Sequence, residues 1–429
     1  MLKRELTLLD ATVYGVGLIL GAGIYVLIGK AAAITGGSLW LSFIFAALIA
    51  SFTGLSYAEL ASMYPKAAAE YVYVKHAFSN RILPLIIGFL SIFVGLFSAA
   101  TVALGFAGYL HELLLPFCNL PVTLIAVILV IVLSGINFYG VKESARLNIV
   151  FTAIEASGLV FIIFLGLPHL GTVNYLEMPR GITGVFSAAA LIFFSYLGFQ
   201  EMANMAEETK HARRNIPLAI IISMVITTLL YVLVAISSVS VLPPEVLGKS
   251  KAPLAEVAEA SMPGSSSFLS FVALFATLNT VLIILVVTSR MFYGMAERSR
   301  IFRPFSYVHK KRGTPWVAVL VTMVLVCMLT LIGNVKTVAL ITDLGSFIIF
   351  FAVNVSLIAL RYKKPRAKRE FKVPLSIGRL PIIPLLGALT SVFMMLHFEI
   401  HIILITFGAI LFSFVTFFIF DTVLQKETE

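Results

Sequence analysis

Three stretches of this chain place reactive groups inside long apolar segments. The first is GAGIYVLIG, residues 21–29, in a segment with no charged side chain between Asp10 and Lys30. Each interior glycine costs a helix about 1 kcal/mol relative to alanine, so a helix crossing here is expected to break. A helix that restarts near Gly23 and Ile24 presents unpaired N–H groups and a positive dipole end, a site for an anion such as a carboxylate. Glycine lets that ligand approach the backbone closely. The half that ends near Ile19 presents free carbonyls, which suit a cation such as an ammonium.

The second stretch is GVFSAAALIFFSYLGFQEMANMAEE, residues 184–208, interrupted by Ser195, Tyr196 and Gly198. Carbonyls near Phe194 and Leu197 would again suit an ammonium. Carboxylate donors facing ammonium acceptors describe an α-amino acid, and other zwitterions satisfy the same groups. The third is NIVFTAIEASGLVFIIFLG, residues 148–166, with Glu155 about nine residues into its segment. A carboxylate near mid-membrane is costly unless paired, which makes it a functional candidate. Glu59, Glu201 and Asp343 read as nearer the segment ends. All seven histidines fall in loops or at segment edges, so none reads as a proton relay.

The elements that must hold these groups follow from composition. The chain is 60% hydrophobic and 12% charged, with a mean hydropathy of +1.02. A soluble chain is about a quarter charged, and a spanning helix needs about 20 apolar residues. The pattern predicts an all-α polytopic membrane protein with about twelve transmembrane helices. They read as 8–31, 38–62, 84–115, 120–139, 146–167, 183–206, 217–241, 267–297, 315–333, 336–360, 380–397 and 401–421. The connections are short, leaving no room for a separate soluble domain, and no cleavable signal peptide is expected. Cys118 and Cys327 lie in such different places that they read as isolated packing residues.

The net charge of +10 is distributed in a way that argues against nucleic acid. Lys3, Arg4, Lys66, Lys142, Lys210, Arg213, Arg214 and Lys310 fall on loops of one face. The loop RYKKPRAKREFKVP adds seven further basic residues to that face. The other face holds Lys30, Arg180, Lys249, Lys251 and Lys336. This asymmetry predicts a multi-pass protein of the cytoplasmic membrane with both termini cytoplasmic. Contact with anionic lipid headgroups is a secondary role for the same charges.

The two interrupted segments are the first and the sixth. They hold corresponding positions in two five-helix halves, and an odd number of spans per half makes the second half inverted. Such paired interruptions point to a transporter binding site at the midplane. Gly17-xxx-Gly21 alone also reads as a small-xxx-small packing motif. The expected organisation is a transport core over 1–360, with repeats at about 1–167 and 183–360. Residues 361–429 would then supply a basic cytoplasmic loop and two peripheral helices.

GAGIYVLIG, SYAELASMYPKAAAEYVYVKHAF (56–78), FFSYLGFQEMANMAEETKHARRNIPLAI (193–220) and LNTVLIILVVTSRMFYGMAERSRIFRPF (278–305) resemble the amino acid–polyamine–organocation (APC) superfamily. The likeness is to prokaryotic amino acid permeases and to the cationic amino acid transporter branch. It implies the leucine-transporter (LeuT) type 5+5 inverted repeat, with helices 1 and 6 broken. It further implies that Gly21, Ala22 and Gly23 bind a substrate carboxylate, and that carbonyls of Ile19, Phe194 and Leu197 take the α-amino group. Ile24, Ser195 and Gly198 complete the substrate set, with Phe194 as an aromatic gate. One departure stands out: the superfamily's Gly-Gly before Tyr-x-Tyr is replaced by Ala67, Ala68, Ala69 and Glu70.

Some proton-coupled members carry a lysine where Glu155 stands, so lysine chemistry does not transfer. Three readings are open for Glu155. Desolvation disfavours a charged carboxylate, which suits a proton carrier. Its charge could instead hold Na⁺ beside Thr277 and Thr280, or it could be a neutral structural group. An enzyme is disfavoured, since the chain has no HExxH, GxSxG, CxxC or phosphate loop. A channel would need polar stripes along several helices. The expected activity is secondary active transport of amino acids, as proton symport, Na⁺ symport or exchange. No cofactor or metal is expected. Ser98, Thr101, Phe194, Gly198, Thr277 and Asn279 would shape the side-chain pocket, with no acid facing it, which favours neutral substrates.

Overall fold

The computed structural model describes residues 3–411 except 115–117, 251, 300–302, 333–334, 397, 399, 401 and 409–410. Among them, helices dominate. In chain order they are α1 Leu8–Leu20, α2 Ala22–Thr35, α3 Leu39–Met63, α4 Ala69–Ala77, α5 Ile82–Leu114 and α6 Val122–Tyr139. Next come α7 Val141–Gly166, α8 Gly181–Ile192, α9 Glu201–Asn204, α10 Ala212–Val241 and α11 Pro244–Lys249. The last are α12 Pro253–Ser261, α13 Ser266–Ser299, α14 Trp316–Ile332, α15 Val335–Lys363 and α16 Ile382–Met395.

Nine stretches among the described residues are long and apolar enough to cross a membrane. Expected segments nine and eleven form the shorter helices α14 and α16, of 17 and 14 residues. At 1.5 Å per residue these reach about 25 and 21 Å, short of the ~30 Å hydrocarbon thickness. The expected twelfth segment lies largely outside the described residues.

Local chemistry sets the element ends. α1 starts at a capping box: Thr7 Oγ1 accepts from the Asp10 N–H at 3.3 Å, and Asp10 Oδ2 accepts from the Thr7 N–H at 2.8 Å. This satisfies two groups that a helix start otherwise leaves open. α4 follows Ala68, whose φ is +54°. An alanine there costs about 1–2 kcal/mol relative to glycine, and the chain adopts a left-handed turn with alanine at that position. Asn204 offsets part of that cost by accepting from the Ala69 N–H at 2.8 Å.

The packing is inverted relative to a water-soluble protein. Large apolar side chains on α6, α7 and α10 face outward, among them Ile128, Val132, Phe164, Val225 and Leu229. Arg290, Glu59, Glu155, Asn148 and Asn279 are fully buried. α13 is the most enclosed of the long helices and packs along α5, α7 and α1, while α3 packs along α10. An apolar rim around a polar centre is the arrangement expected when lipid is the solvent.

Candidate functional site

Two interruptions meet at the centre of the bundle. α1 stops at Leu20 and α2 restarts at Ala22, with Gly21 between them. No side chain caps the N-terminus of α2, so its first-turn N–H groups are open to a ligand. The second interruption follows α8. Residues Phe193–Tyr196 form a 3₁₀ turn, Leu197 is extended, and Gly198 has a φ of +126°. Only glycine adopts that conformation without strain.

The two breaks touch. A Cβ added at Gly23 would lie 2.7 Å from Ser195 Oγ and 2.8 Å from Ser195 Cα. One added at Gly198 would lie 2.8 Å from Leu18 Cγ. Glycine is therefore required by close approach at both positions. α10 joins them: the Tyr231 hydroxyl contacts the Ile19 carbonyl at 2.6 Å and the Ser195 carbonyl at 3.1 Å. One hydroxyl proton is shared unequally between the two acceptors, with the shorter bond to Ile19.

A cavity of about 90 Å³ opens at this junction. Of the expected residues, Ile19, Gly21, Gly23, Phe194, Ser195, Leu197, Gly198 and Thr280 line it. Ala22 opens α2 beside it. Ile24 is fully buried but does not line the cavity, and neither do Glu155 and Thr277. The remaining wall comes from α5, α13 and α15, through residues such as Ser98, Ile284, Thr342 and Ser346. Thr101 and Asn279, expected in that wall, are not in it. Ser195 Oγ is buried and has no hydrogen-bond partner among the described residues.

Glu201 corrects a further expectation. The sequence offered no acid facing the pocket, yet Glu201 at the start of α9 lines it. Its position follows from the break: the turn at Gly198 folds α9 back against the cavity, a consequence that counting from the segment ends misses. Gln200 donates to Glu201 Oε1 at 3.4 Å. Nearby, Glu70 of α4 accepts from the Tyr57 hydroxyl at 3.1 Å and from the Asn204 amide at 3.3 and 3.4 Å. Burial pushes the Glu70 carboxyl above its usual range, against the opposing pull of its hydrogen bonds.

Glu155 does not stand apart by depth. Glu59 and Glu208 are as deeply buried. Glu59 is held by Arg361 and by Arg369 Nε at 2.8 Å, and Glu208 by Arg290 Nε at 3.0 Å. Glu155 differs because no basic side chain pairs with it among the described residues. Asn279 lies alongside it, and the Tyr25 and Tyr231 hydroxyls are within electrostatic reach. Gly17 lets α1 reach this region, since a Cβ there would lie 2.1 Å from Thr152 Oγ1 and 2.7 Å from Asn279 Nδ2. Asn148 donates to Asn279 at 2.9 Å, joining α7 to α13. Thr277 Oγ1 donates to its own helix at Leu274, while Thr280 turns toward Gly21.

Tyr231 and Glu201 are the positions that sequence reasoning did not bring to the site. Tyr231 sits in an unremarkable apolar run, and no local signal marks it. Gly17 was read for helix packing, and its spacing from Gly21 on one helix face was the available cue.

Comparison with known proteins gives concordant results. The family described as amino acid permease matches residues 6–424. The chain is similar to the branched-chain amino acid permease BcaP of Bacillus subtilis (strain 168), at 30% identity over 92% of this chain and 88% of that protein. It is also similar to the methylthioribose transporter of the same organism, at 27% identity over 90% and 87%. The vacuolar cationic amino acid transporter 4 of Arabidopsis thaliana matches at 28% identity, over 85% of this chain and 64% of its own length. These relatives are permeases and transporters, not enzymes.

Proposed function

The chain belongs to the amino acid permease family, and we propose from that premise that it moves amino acids across the cytoplasmic membrane by alternating access. The observation that carries this reading is the meeting of two helix breaks at one cavity. The open N-terminus of α2, with Gly21, Ala22, Gly23 and Ile24, takes the substrate carboxylate. Carbonyls of Ile19, Phe194 and Leu197 take the α-amino group, with Ser195 and Gly198 beside them and Phe194 closing over the substrate. A volume of about 90 Å³ equals the liquid share of about three waters at about 30 Å³ each, room for a small ligand. That size favours small amino acids.

Ion coupling is assigned to Glu155 as a proton carrier. Its carboxyl, which no cation neutralises among the described residues, and its neighbour Tyr231, which contacts both breaks, support this assignment. Na⁺ held by Glu155 with Thr277 and Thr280 is the competing reading. The two halves, about 1–167 and 183–360, form an inverted 5+5 repeat of the LeuT type, and 361–429 adds a basic loop and two peripheral helices. The charge asymmetry assigns both termini to the cytoplasm, and the gathering of basic segments at one end, where Lys3 donates to the Lys311 carbonyl and Lys66 pairs with Glu207, supports this for the N-terminus.

Uptake of labelled amino acids into proteoliposomes tests this directly. The conditions are an inward proton gradient, a Na⁺ gradient, neither, and amino acid preloaded inside. The expected result is uptake of small neutral amino acids driven by the proton gradient, lost in Gly23→Ala. Uptake only with preloaded amino acid would replace symport with exchange. Failure to transport any amino acid under all conditions would overturn the substrate class.

A further inference from the structure

A second cavity, about 650 Å³, lies at the end of the bundle where α10 begins. Arg4, Lys210, His211, Arg213 and Arg214 line it, with Glu370 as its one acidic lining residue. None of the side chains of Arg4, Lys210, Arg213 and Arg214 forms an ion pair or hydrogen bond with a described residue. The other arginines and acids at this end behave differently: Glu208, Glu59 and Glu207 each take a basic partner. Four cations therefore face one concavity with Glu370 as its one acid, and an anion bound there would relieve their mutual repulsion.

The depth of this cavity narrows the choice of anion. α10 spans 30 residues, and its outward-facing apolar residues Val225 and Leu229 lie near its centre. Arg214 is about 13 residues from that centre, or about 20 Å along the axis. Half the hydrocarbon thickness is about 15 Å. The basic side chains thus sit at the depth of lipid headgroups. Three of them are arginines, whose planar guanidinium groups grip phosphate oxygens in pairs.

We propose that this cavity is a phosphate-binding site occupied by the headgroup of an anionic phospholipid. It draws on separate segments: the N-terminal segment through Arg4, residues 206–215 at the start of α10, and the loop after α15 through Glu370. The first two are already joined, since the Glu5 and Leu6 N–H groups both donate to the Glu208 carbonyl at 3.0 Å. A bound phosphate adds a charged clamp to that junction. The site is separate from the amino acid cavity and does not depend on its assignment.

The test uses the full chain in bilayers of phosphatidylcholine doped with phosphatidylglycerol, measuring protein-bound anionic lipid. The variant Lys210→Gln/Arg213→Gln/Arg214→Gln is compared with Lys142→Gln/Arg146→Gln/Lys310→Gln, which removes equal charge outside the cavity. Each direct contact to a bound phosphate is expected to contribute about fivefold, so the cavity triple is expected to lose roughly a hundredfold. The control triple is expected to lose far less, and Arg213→Lys with Arg214→Lys to lose part of the binding, since lysine keeps the charge but not the paired grip. Equal losses in both triples would overturn the proposal in favour of diffuse surface attraction. Inorganic phosphate is the second probe. Saturable phosphate binding that competes with lipid and disappears in the cavity triple keeps the site and assigns its source to solution. Binding of neither probe above the level of the cavity triple would also overturn it. Thermal unfolding of each variant separates a lost site from a lost fold.

Discussion

The Tyr231 hydroxyl donates to the Ile19 carbonyl at 2.6 Å while lying 3.1 Å from the Ser195 carbonyl. One side chain of α10 thereby contacts both interrupted segments at the point where they border the central cavity. The bond orients the Ile19 carbonyl, and a carbonyl has a second lone pair that remains for a ligand.

Removing that hydroxyl should weaken substrate binding without dismantling the bundle. Tyr231→Phe leaves the ring contacts with Phe43 and Tyr196 in place but leaves a buried acceptor unsatisfied, at about 1–3 kcal/mol. The expected outcome is a KM for uptake about five- to tenfold higher. An unchanged KM in proteoliposomes would detach Tyr231 from the site.

Glu155→Gln keeps the shape of the side chain and removes its charge. The substrate cavity does not include Glu155, so equilibrium binding of amino acid should be retained. Accumulation driven by the proton gradient should be lost, leaving only equilibration. Gradient-driven uptake at the wild-type level would return Glu155 to a structural role.

The Arg290–Glu208 pair offers a stability test. Arg290 also donates from Nη1 to Ser289 at 2.9 Å and to Asn137 Oδ1, so α6, α13 and the 206–208 turn converge on it. Arg290→Met strands a buried carboxylate and should cost about 3–5 kcal/mol. Arg290→Met with Glu208→Gln removes the stranded charge and should recover most of that loss. Thermal unfolding of the purified protein measures both; a double variant no better than the single would show that packing, not charge, dominates.

Glu70 predicts a direction for pH dependence. Burial raises its carboxyl above the value it has in the unfolded chain. Its contribution to stability is therefore fully present below the unfolded value of about 4.3 and declines as pH rises through the raised native value. Glu70→Gln should flatten that decline. Denaturation midpoints measured across mildly acidic to neutral pH distinguish the two, and parallel profiles for wild type and variant would rule Glu70 out as the source.

Some of this was local enough to be legible in the chain. Composition made the protein a membrane protein, because a chain this apolar has no aqueous fold. The glycines at 21, 23 and 198 marked the breaks, since helix propensity and left-handed backbone conformations are properties of single residues. Seven of the expected residues, Ile19, Gly21, Gly23, Phe194, Ser195, Leu197 and Gly198, fall around one cavity for the same reason: each lies at a break.

What the tertiary structure decided depends on partners distant in sequence. Tyr231 reaches Ile19 across 212 residues, and Arg361 reaches Glu59 across 302. Sequence ranked the acids by distance from segment ends, but burial alone does not separate Glu155 from Glu59 and Glu208. Whether an arginine arrives from another helix does, and that is settled only when the helices pack. The turn at Gly198 likewise carries Glu201 to the cavity, because a broken helix changes direction and linear depth along it no longer measures position.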